Sequence, residues 1–506
     1  MALWGLVARA GSSDLIPAPW DVATQVWRDG AYYLPHIRQT GTEALLGYLL
    51  GNAAALVTAV VLTLAPVAER TTRPLFVALH CLPIMVAAPL ADALLPRDAA
   101  LAAVAAQAVF LATLAHALVG LRSCDTRLLD VVSAAGGNRW ARLSKVRIAS
   151  ALPAVFAGLR AAVPAAFLGA VVAEFAGATR GLGVAMMAGL QGFRIARTWG
   201  LAVVLLALTG MASWVMGRIG GRFTGWASSG TTVPAHRVIQ TATRPTRALH
   251  SAAGIMAGVV LVAAVWWATI SAFQLDPFFA KTPGQVLHYL FGTRDAPRHR
   301  AQLLLDLGQT FLDTALGYVA GSAVALSLGI ACSLHRTTAR LVLSAAAALR
   351  TIPVVATAPL VTLAVGRGAA CVVVVTGFVT LFPSLVGVLE GLDSAPRAAI
   401  DMAATYGGRP WALLLRVRLP FAVPMLTAMA RLMVPSALLA ALVAEWLATG
   451  SGLGNRMLLA FAQSDFTLLW SSAAVAVAAA AVMQGVVGVA GSVLLRRFSS
   501  VAASEP

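Results

Sequence analysis

The chain has 506 residues, 59% of them hydrophobic and only 11% charged, with a mean hydropathy of +0.82. A soluble globular protein carries about 25% charged residues, so that class is excluded and an integral membrane protein is expected. The net charge of +17 would suit a nucleic acid, but the Lys/Arg excess falls on one set of connectors between apolar runs, as membrane orientation demands, so no nucleic-acid partner is expected.

Residues 1–44 are mixed in polarity and read as an external N-terminal segment. Within it, Met1–Ala10 is too short, and of the wrong polarity, for a cleavable signal. Apolar runs near the ~20 residues needed to cross a bilayer then follow at 45–64, 75–95, 99–120, 152–174 and 199–217, making a first module over 45–217. Segment 218–250 carries Arg218, Arg222, Arg237, Arg244 and Arg247 among Ser, Thr and Pro, and reads as a basic cytoplasmic linker. Further apolar runs at 251–272, 312–333, 341–365, 369–390, 423–446 and 471–494 make a second module over 251–495, and a cytoplasmic tail, 496–506, opens on Arg496-Arg497. The expected fold is therefore all-α, with about 11 transmembrane helices in a 5 + 6 arrangement. Its N-terminus is external and its C-terminus cytoplasmic. Leu275–Gln309 loosely resembles Ile16–Gln39, and both read as amphipathic external segments leading into a span. Cys81, Cys124, Cys332 and Cys371 lack metal-ligand spacing and read as small apolar residues.

The second module repeats the first. Asp130, Gly136, Gly137, Trp140, Arg147, Pro153, Arg160, Pro164, Glu174, Gly181, Gly183 and Trp199 recur as Asp401, Gly407, Gly408, Trp411, Arg418, Pro424, Arg431, Pro435, Glu445, Gly452, Gly454 and Trp470, a constant offset (401 − 130 = 271). Upstream the offset is 270: Thr40, Gly47, Tyr48 and Gly51 return as Thr310, Gly317, Tyr318 and Gly321. A tandem of multi-helix modules running in the same chain direction implies a pseudo-symmetric pair enclosing a path between them.

The strongest repeated string is a cytoplasmic loop. Leu129-Asp130-Val131-Val132 leads to Gly136-Gly137, then Trp140, Arg147 and Pro153; Asp401-Met402-Ala403-Ala404 leads to Gly407-Gly408, then Trp411, Arg418 and Pro424. The pattern predicts a short helix stopped by Gly-Gly, a turn, a second short basic helix, and a proline where the chain re-enters the membrane. Such a knob, acidic at its start and basic behind, is a docking surface.

Here the chain resembles the membrane subunits of binding-protein-dependent ABC importers, whose loop of the form E-A-A-x-x-x-G is a coupling helix seated in a cleft of the ATPase. The resemblance covers residues 40–217 and 251–494, and is closest to the branch that imports nitrate, sulfonates, taurine and pyrimidine precursors. It implies two type I importer modules in one chain in a bacterial plasma (inner) membrane. It also implies two ABC ATPase subunits that carry the ATP and Mg, an external (periplasmic or lipid-anchored) substrate-binding protein, and surrounding lipid. This chain departs from the pattern: Asp stands for Glu at 130 and 401, Val131-Val132 and Met402-Ala403 for Ala-Ala, and Ala149 where the second copy has Pro420. The first loop is the more degenerate, so unequal coupling of the halves is an expectation.

Charged residues in spans usually face an interior or a wet cavity. Arg160 and Glu174, like Arg431 and Glu445, are fourteen residues apart on one helix, ~21 Å along its axis and on nearly one face. They read either as a pathway lining, with Glu at an external gate and Arg near the internal mouth, or as terminal residues reaching the two interfaces. His80 and Arg350 precede paired prolines, Pro83/Pro89 and Pro353/Pro359, whose kinks mark candidate pathway positions. Arg350 is the candidate contact for an anionic solute; the alternative is capping of carbonyls at the kink. No G-x-x-x-x-G-K-[ST] phosphate loop, H-E-x-x-H or G-x-S-x-G occurs, so no catalytic site is expected and ATP hydrolysis belongs to a separate chain. A secondary active transporter with duplicated halves is the alternative reading, although it needs no ATPase dock.

Overall fold

The computed structural model describes residues 17–65, 95–175, 177–225, 252–335 and 354–502, with isolated positions between 72 and 92 and at 342. His80, Arg350, Pro83, Pro89 and Pro353, and most of the predicted linker, lie outside the described residues. Every described element is helical, as lipid demands of a chain whose backbone groups must pair internally.

The first half begins with α1 (Pro19–Arg28), an amphipathic helix with Pro at its first position, which buries Val22 and leaves Trp20 and Trp27 exposed. After Asp29 come α2 (Gly30–Leu64) and α3 (Arg97–Arg122). The connector after α3 holds α4 (Thr126–Ala134) and α5 (Arg139–Arg142), and α6 (Ile148–Phe175), α7 (Leu182–Gln191) and α8 (Ile195–Thr224) complete the half. The second half adds α9 (Ala252–Ala272) and α10 (Pro283–Leu287), then α11 (Ala296–Leu334), α12 (Val354–Val365) and α13 (Ala369–Asp393). A matching connector, α14 (Arg397–Thr405) and α15 (Pro410–Leu413), leads to α16 (Leu419–Ala448), α17 (Leu453–Ala462) and α18 (Phe466–Ala502).

Among the described residues, 8 helices are long and apolar enough to cross a membrane, and each contains one of the predicted spans. Span 251–272 is α9, whose apolar stretch Met256–Ala272 is shorter; span 75–95 falls largely outside the described residues, and of span 341–365 residue 342 and α12 are described. The helices outrun the apolar windows. At 35 residues α2 reaches ~52 Å, against a hydrocarbon core of ~30 Å, so residue 44 marks no break in the backbone. Two ten-residue helices, α7 and α17, were not predicted as elements, being too short to register as spans.

Within the first half α3 packs between α2 and α6; in the second, α13 packs between α11 and α16. Close approach depends on Gly47 and Gly51, repeated at Gly317 and Gly321: a Cβ at Gly51 would lie 2.5 Å from the Ala106 carbonyl oxygen, and one at Gly317 would lie 2.9 Å from that of Val373. Small residues at such crossings let backbones touch. Gly51→Val should therefore lower the thermal midpoint of the detergent-solubilised protein, since overpacking costs about 1–3 kcal/mol and backbone cannot yield. Gly210→Val, on α8 with open space around it, should leave the midpoint unchanged.

The halves share one buried core, in which Val171, Val172 and Leu201 join Ala358, Cys371, Ala441 and Trp446. The exchange is reciprocal: α12 packs onto α6 and α8, while Val86 enters the second-half core around Leu438, Leu442 and Leu453. α9 is fastened near its C-terminal end, where Trp266 stacks on Trp470 with ring centroids 5.2 Å apart.

Candidate functional site

The predicted cytoplasmic knobs are present in both halves with the same geometry. α4 and α14 are nine residues long and bury no side chain. Gly136 and Gly407 follow at φ 76° and 77°, left-handed values that glycine adopts without strain. The N–H of Gly137 reaches back to the Val132 carbonyl at 2.8 Å, and that of Gly408 to Ala403 at 3.1 Å. With Gly136 N–H on Ser133 and Gly407 N–H on Ala404, both at 3.0 Å, each helix ends in a Schellman motif.

The starts of the helices differ. The α4 N-cap is Asp125, whose carboxylate accepts from the Arg127 N–H at 2.9 Å, whereas α14 follows Pro396 without a side-chain cap. Asp130 and Asp401 therefore lie in the middle of their helices, exposed, and do not open the knobs. Around them the surface is apolar: Leu128, Val131 and Trp140 are exposed in the first knob, and Met402, Tyr406 and Trp411 in the second. Exposed apolar clusters of this kind mark partner contacts.

The return into the membrane also differs from expectation. Instead of standing apart as second short helices, α5 and α15 run through single π turns, Leu143–Arg147 and Leu414–Arg418, straight into α6 and α16. Leu143 and Leu414 are buried at these turns and anchor the knobs to the bundle, while Arg147 and Arg418 lie at their ends. Pro153 and Pro424 are inside the long helices, near their starts.

Glu174 and Glu445 lie at the far ends of α6 and α16, 1% and 0% exposed. Glu174 accepts from Thr40 Oγ1 of α2 at 2.5 Å and from the Gly183 N–H at 2.6 Å; Thr40 in turn accepts from the Leu182 N–H at 2.8 Å. Glu445 accepts from Thr310 Oγ1 at 3.0 Å and the Gly454 N–H at 2.8 Å, and Thr310 accepts from the Leu453 N–H at 2.9 Å. The N-caps Gly181 and Gly452 provide no side chain, so a carboxylate from the preceding helix satisfies the free N–H groups at the positive ends of α7 and α17. Each glutamate thus ties three helices together. Because both are buried, neither reaches an interface.

Sequence reasoning missed the carboxylates beside them. Glu43 and Asp313 are 2% and 3% exposed, and accept from Gln39 Nε2 at 2.7 Å and Gln309 Nε2 at 3.1 Å. The signal was available, since Gln39-Thr40 and Glu43 return as Gln309-Thr310 and Asp313 at the offset of 270. The braces diverge one turn earlier: His36 Nδ1 accepts from the Gly181 N–H at 3.0 Å, whereas Asp306, in the equivalent place, pairs with Arg456 at 2.6 Å. Asp29 pairs with Arg197 of α8, also at 2.6 Å. Burial alone would raise its carboxyl pKa, but hydrogen bonds from Arg197 and Gln25 outweigh that and hold it below the ordinary aspartate value.

Arg160 and Arg431 do not join the glutamates. Arg160 is exposed beside Gly217 of α8, and the Arg431 guanidinium lies against Gly488 of α18, the same relation displaced by the repeat. Among the described residues no cluster of three or more His, Cys, Asp or Glu could hold a metal ion.

Comparison with known proteins agrees with the duplication. The profile of the family described as "Binding-protein-dependent transport system inner membrane component" matches residues 42–225 and again 317–500. The chain is 33% identical over 196 residues to a probable ABC transporter permease protein of Haemophilus influenzae, covering 38% of this chain and 80% of that protein. It is 36% identical over 124 residues to the riboflavin transport system permease protein of Chloroflexus aurantiacus, covering 24% of this chain and 46% of that one. With the formylaminopyrimidine transport permease protein of Halalkalibacterium halodurans it shares 34% over 150 residues, 29% and 60% of the two chains.

Proposed function

The chain belongs to the family of binding-protein-dependent transport system inner membrane components, and from that membership we propose that it is the fused permease of an ATP-driven importer. It is a multi-pass membrane protein and a transport subunit rather than a catalyst. In this reading the solute passes between the two halves, and α4 and α14 each engage one ATPase subunit that carries ATP and Mg. A substrate-binding protein delivers the solute from outside, with the N-terminus external and the C-terminus cytoplasmic in a bacterial inner membrane. The observation that carries the reading is the pair of Schellman-ended helices, alike in length and backbone, each presenting exposed apolar side chains. Unequal coupling is supported by the different starts of α4 and α14.

The solute is proposed to be a small anion or organic compound such as nitrate, a sulfonate or taurine, or a pyrimidine precursor. Similarity to permeases named for riboflavin, formylaminopyrimidine and aliphatic sulfonates supports this range. Arg160 and Arg431 are proposed to line the pathway near its internal mouth, and His80 and Arg350 to lie beside it at the proline kinks, with Arg350 the contact for an anionic solute. Glu174 and Glu445 act at its external end by fixing the helices that border it. The test is composition and activity: the chain purified alone should show no ATP hydrolysis, and expressed with an ABC ATPase encoded beside it should co-purify with two copies. Robust nucleotide turnover by the isolated chain, or failure of any such ATPase to bind, would overturn the proposal.

A further inference from the structure

Phe175 and Trp446 are the same residue of the repeat, displaced by 271, and they touch one another: the rings meet edge to face, 88° apart, with centroids separated by 6.1 Å. In a two-fold assembly a residue meets its own equivalent only on the axis, so the axis relating the halves runs between these two rings. Each ring directly follows a bracing glutamate, Glu174 or Glu445, and so closes the last turn of α6 or the end of α16 that is tied to α7 or α17. Trp446 is 6% exposed, and Phe175 packs against the same core that joins Val171 and Val172 to Ala441, Ala444 and Leu447.

Burial along the two helices runs in one direction. From Ala162 to Glu174 on α6 and from Val434 to Leu447 on α16 most residues are buried. Towards the cytoplasm Ile148, Arg160, Phe421 and Leu432 are exposed. The core shared by the two halves therefore lies at the end carrying the aromatic pair, whereas the end carrying the knobs mixes exposed residues with buried ones such as Ala151, Ala422 and Met425. We propose that Phe175 and Trp446 form the external gate of the translocation path, an aromatic contact on the pseudo-two-fold axis that must part for solute to enter. This rests on the permease reading above, and adds to it the residues that make the barrier. An edge-to-face pair suits a gate because it excludes water across the axis while its contact energy stays small beside that of the surrounding core.

Two measurements test it. First, the chain alone is reconstituted in liposomes and the leak of iodide, a small probe anion, is followed by quenching of an entrapped dye. Phe175→Ala and Trp446→Ala should raise the leak severalfold, while Phe156→Ala, at the cytoplasmic end of α6, should not. Second, Phe175→Cys and Trp446→Cys are combined after replacing the four native cysteines, with a protease site inserted within 226–250. A short reducible bis-thiosulfonate should hold the halves together on a gel after proteolysis without nucleotide, and far less so when the bound ATPase is trapped with vanadate. Alanine variants as tight as the wild type, or cross-linking equal in both states with the ATPase shown to be bound, would overturn the gate. Failure to bind any ATPase would instead strike the permease reading, and the liposome leak would still decide whether these rings form the barrier.

Discussion

Gly407→Val is expected to leave the protein inserted and abundant in the membrane while abolishing ATP-driven uptake. At φ 77° a β-branched side chain is a backbone outlier, costing about 1–2 kcal/mol for the left-handed conformation. The space around the position is open, so the cost is conformational rather than steric. The relief available is to unwind the last turn of α14, which breaks the Gly408-to-Ala403 bond and displaces Met402, Tyr406 and Trp411. Those exposed residues bury nothing in the permease itself, so its fold should tolerate their displacement, but a docking surface would not. Gly136→Val should act in the same direction and more mildly if the first knob transmits less. ATPase co-purification, uptake and membrane abundance, measured together, check the result. Unchanged uptake with the ATPase still bound would contradict the coupling assignment.

Glu445→Ala should be the most damaging single change in the second half. It strips the Gly454 N–H of its acceptor and leaves Thr310 one partner fewer in a site with no access to water. Each buried polar group left unsatisfied costs about 1–3 kcal/mol, so a loss of several kcal/mol is expected. Glu445→Gln keeps an oxygen for the Gly454 N–H and should recover most of the stability. Glu174→Ala should behave likewise, with the added loss that Thr40 Oγ1 would have only the Leu182 N–H left. Thermal unfolding in detergent reads all three. If alanine and glutamine are equally harmless, the carboxylates are not braces. If glutamine is stable but transport-dead, their charge serves the pathway as well as the fold.

The glutamates also show how far a sequence can be read. Their charge, repetition and place at the ends of spans are visible along the chain, and a gate or an interfacial anchor follows from such features. What they hold is not visible, because Thr40 is separated from Glu174 by 134 positions and Thr310 from Glu445 by 135. The short helices they cap are ten residues long, below the length at which hydropathy or periodicity separates a helix from a loop. Glu43 and Asp313 were overlooked for a related reason: an acidic residue early in a long helix looks like solvated surface until another helix covers it.

The turns at the knobs are the opposite case. A glycine pair after an amphipathic run specifies its own left-handed stop, since only the backbone of those few residues is involved, and both copies adopt it. The prolines after the knobs fell between the two cases. Pro153 and Pro424 suggest by local rule where the chain re-enters the membrane, and both lie near the starts of helices that run on through them.

Taken alone, the sequence determined the membrane class, the tandem duplication and the two glycine-stopped connectors, because hydropathy, repetition and the handedness of a single backbone position are local properties. The tertiary structure alone decided that the buried glutamates cap neighbouring helices, that α12 and Val86 cross between halves, and that Phe175 meets Trp446. Those facts depend on which distant segments lipid exclusion and close packing force together, and no short stretch of chain carries that information.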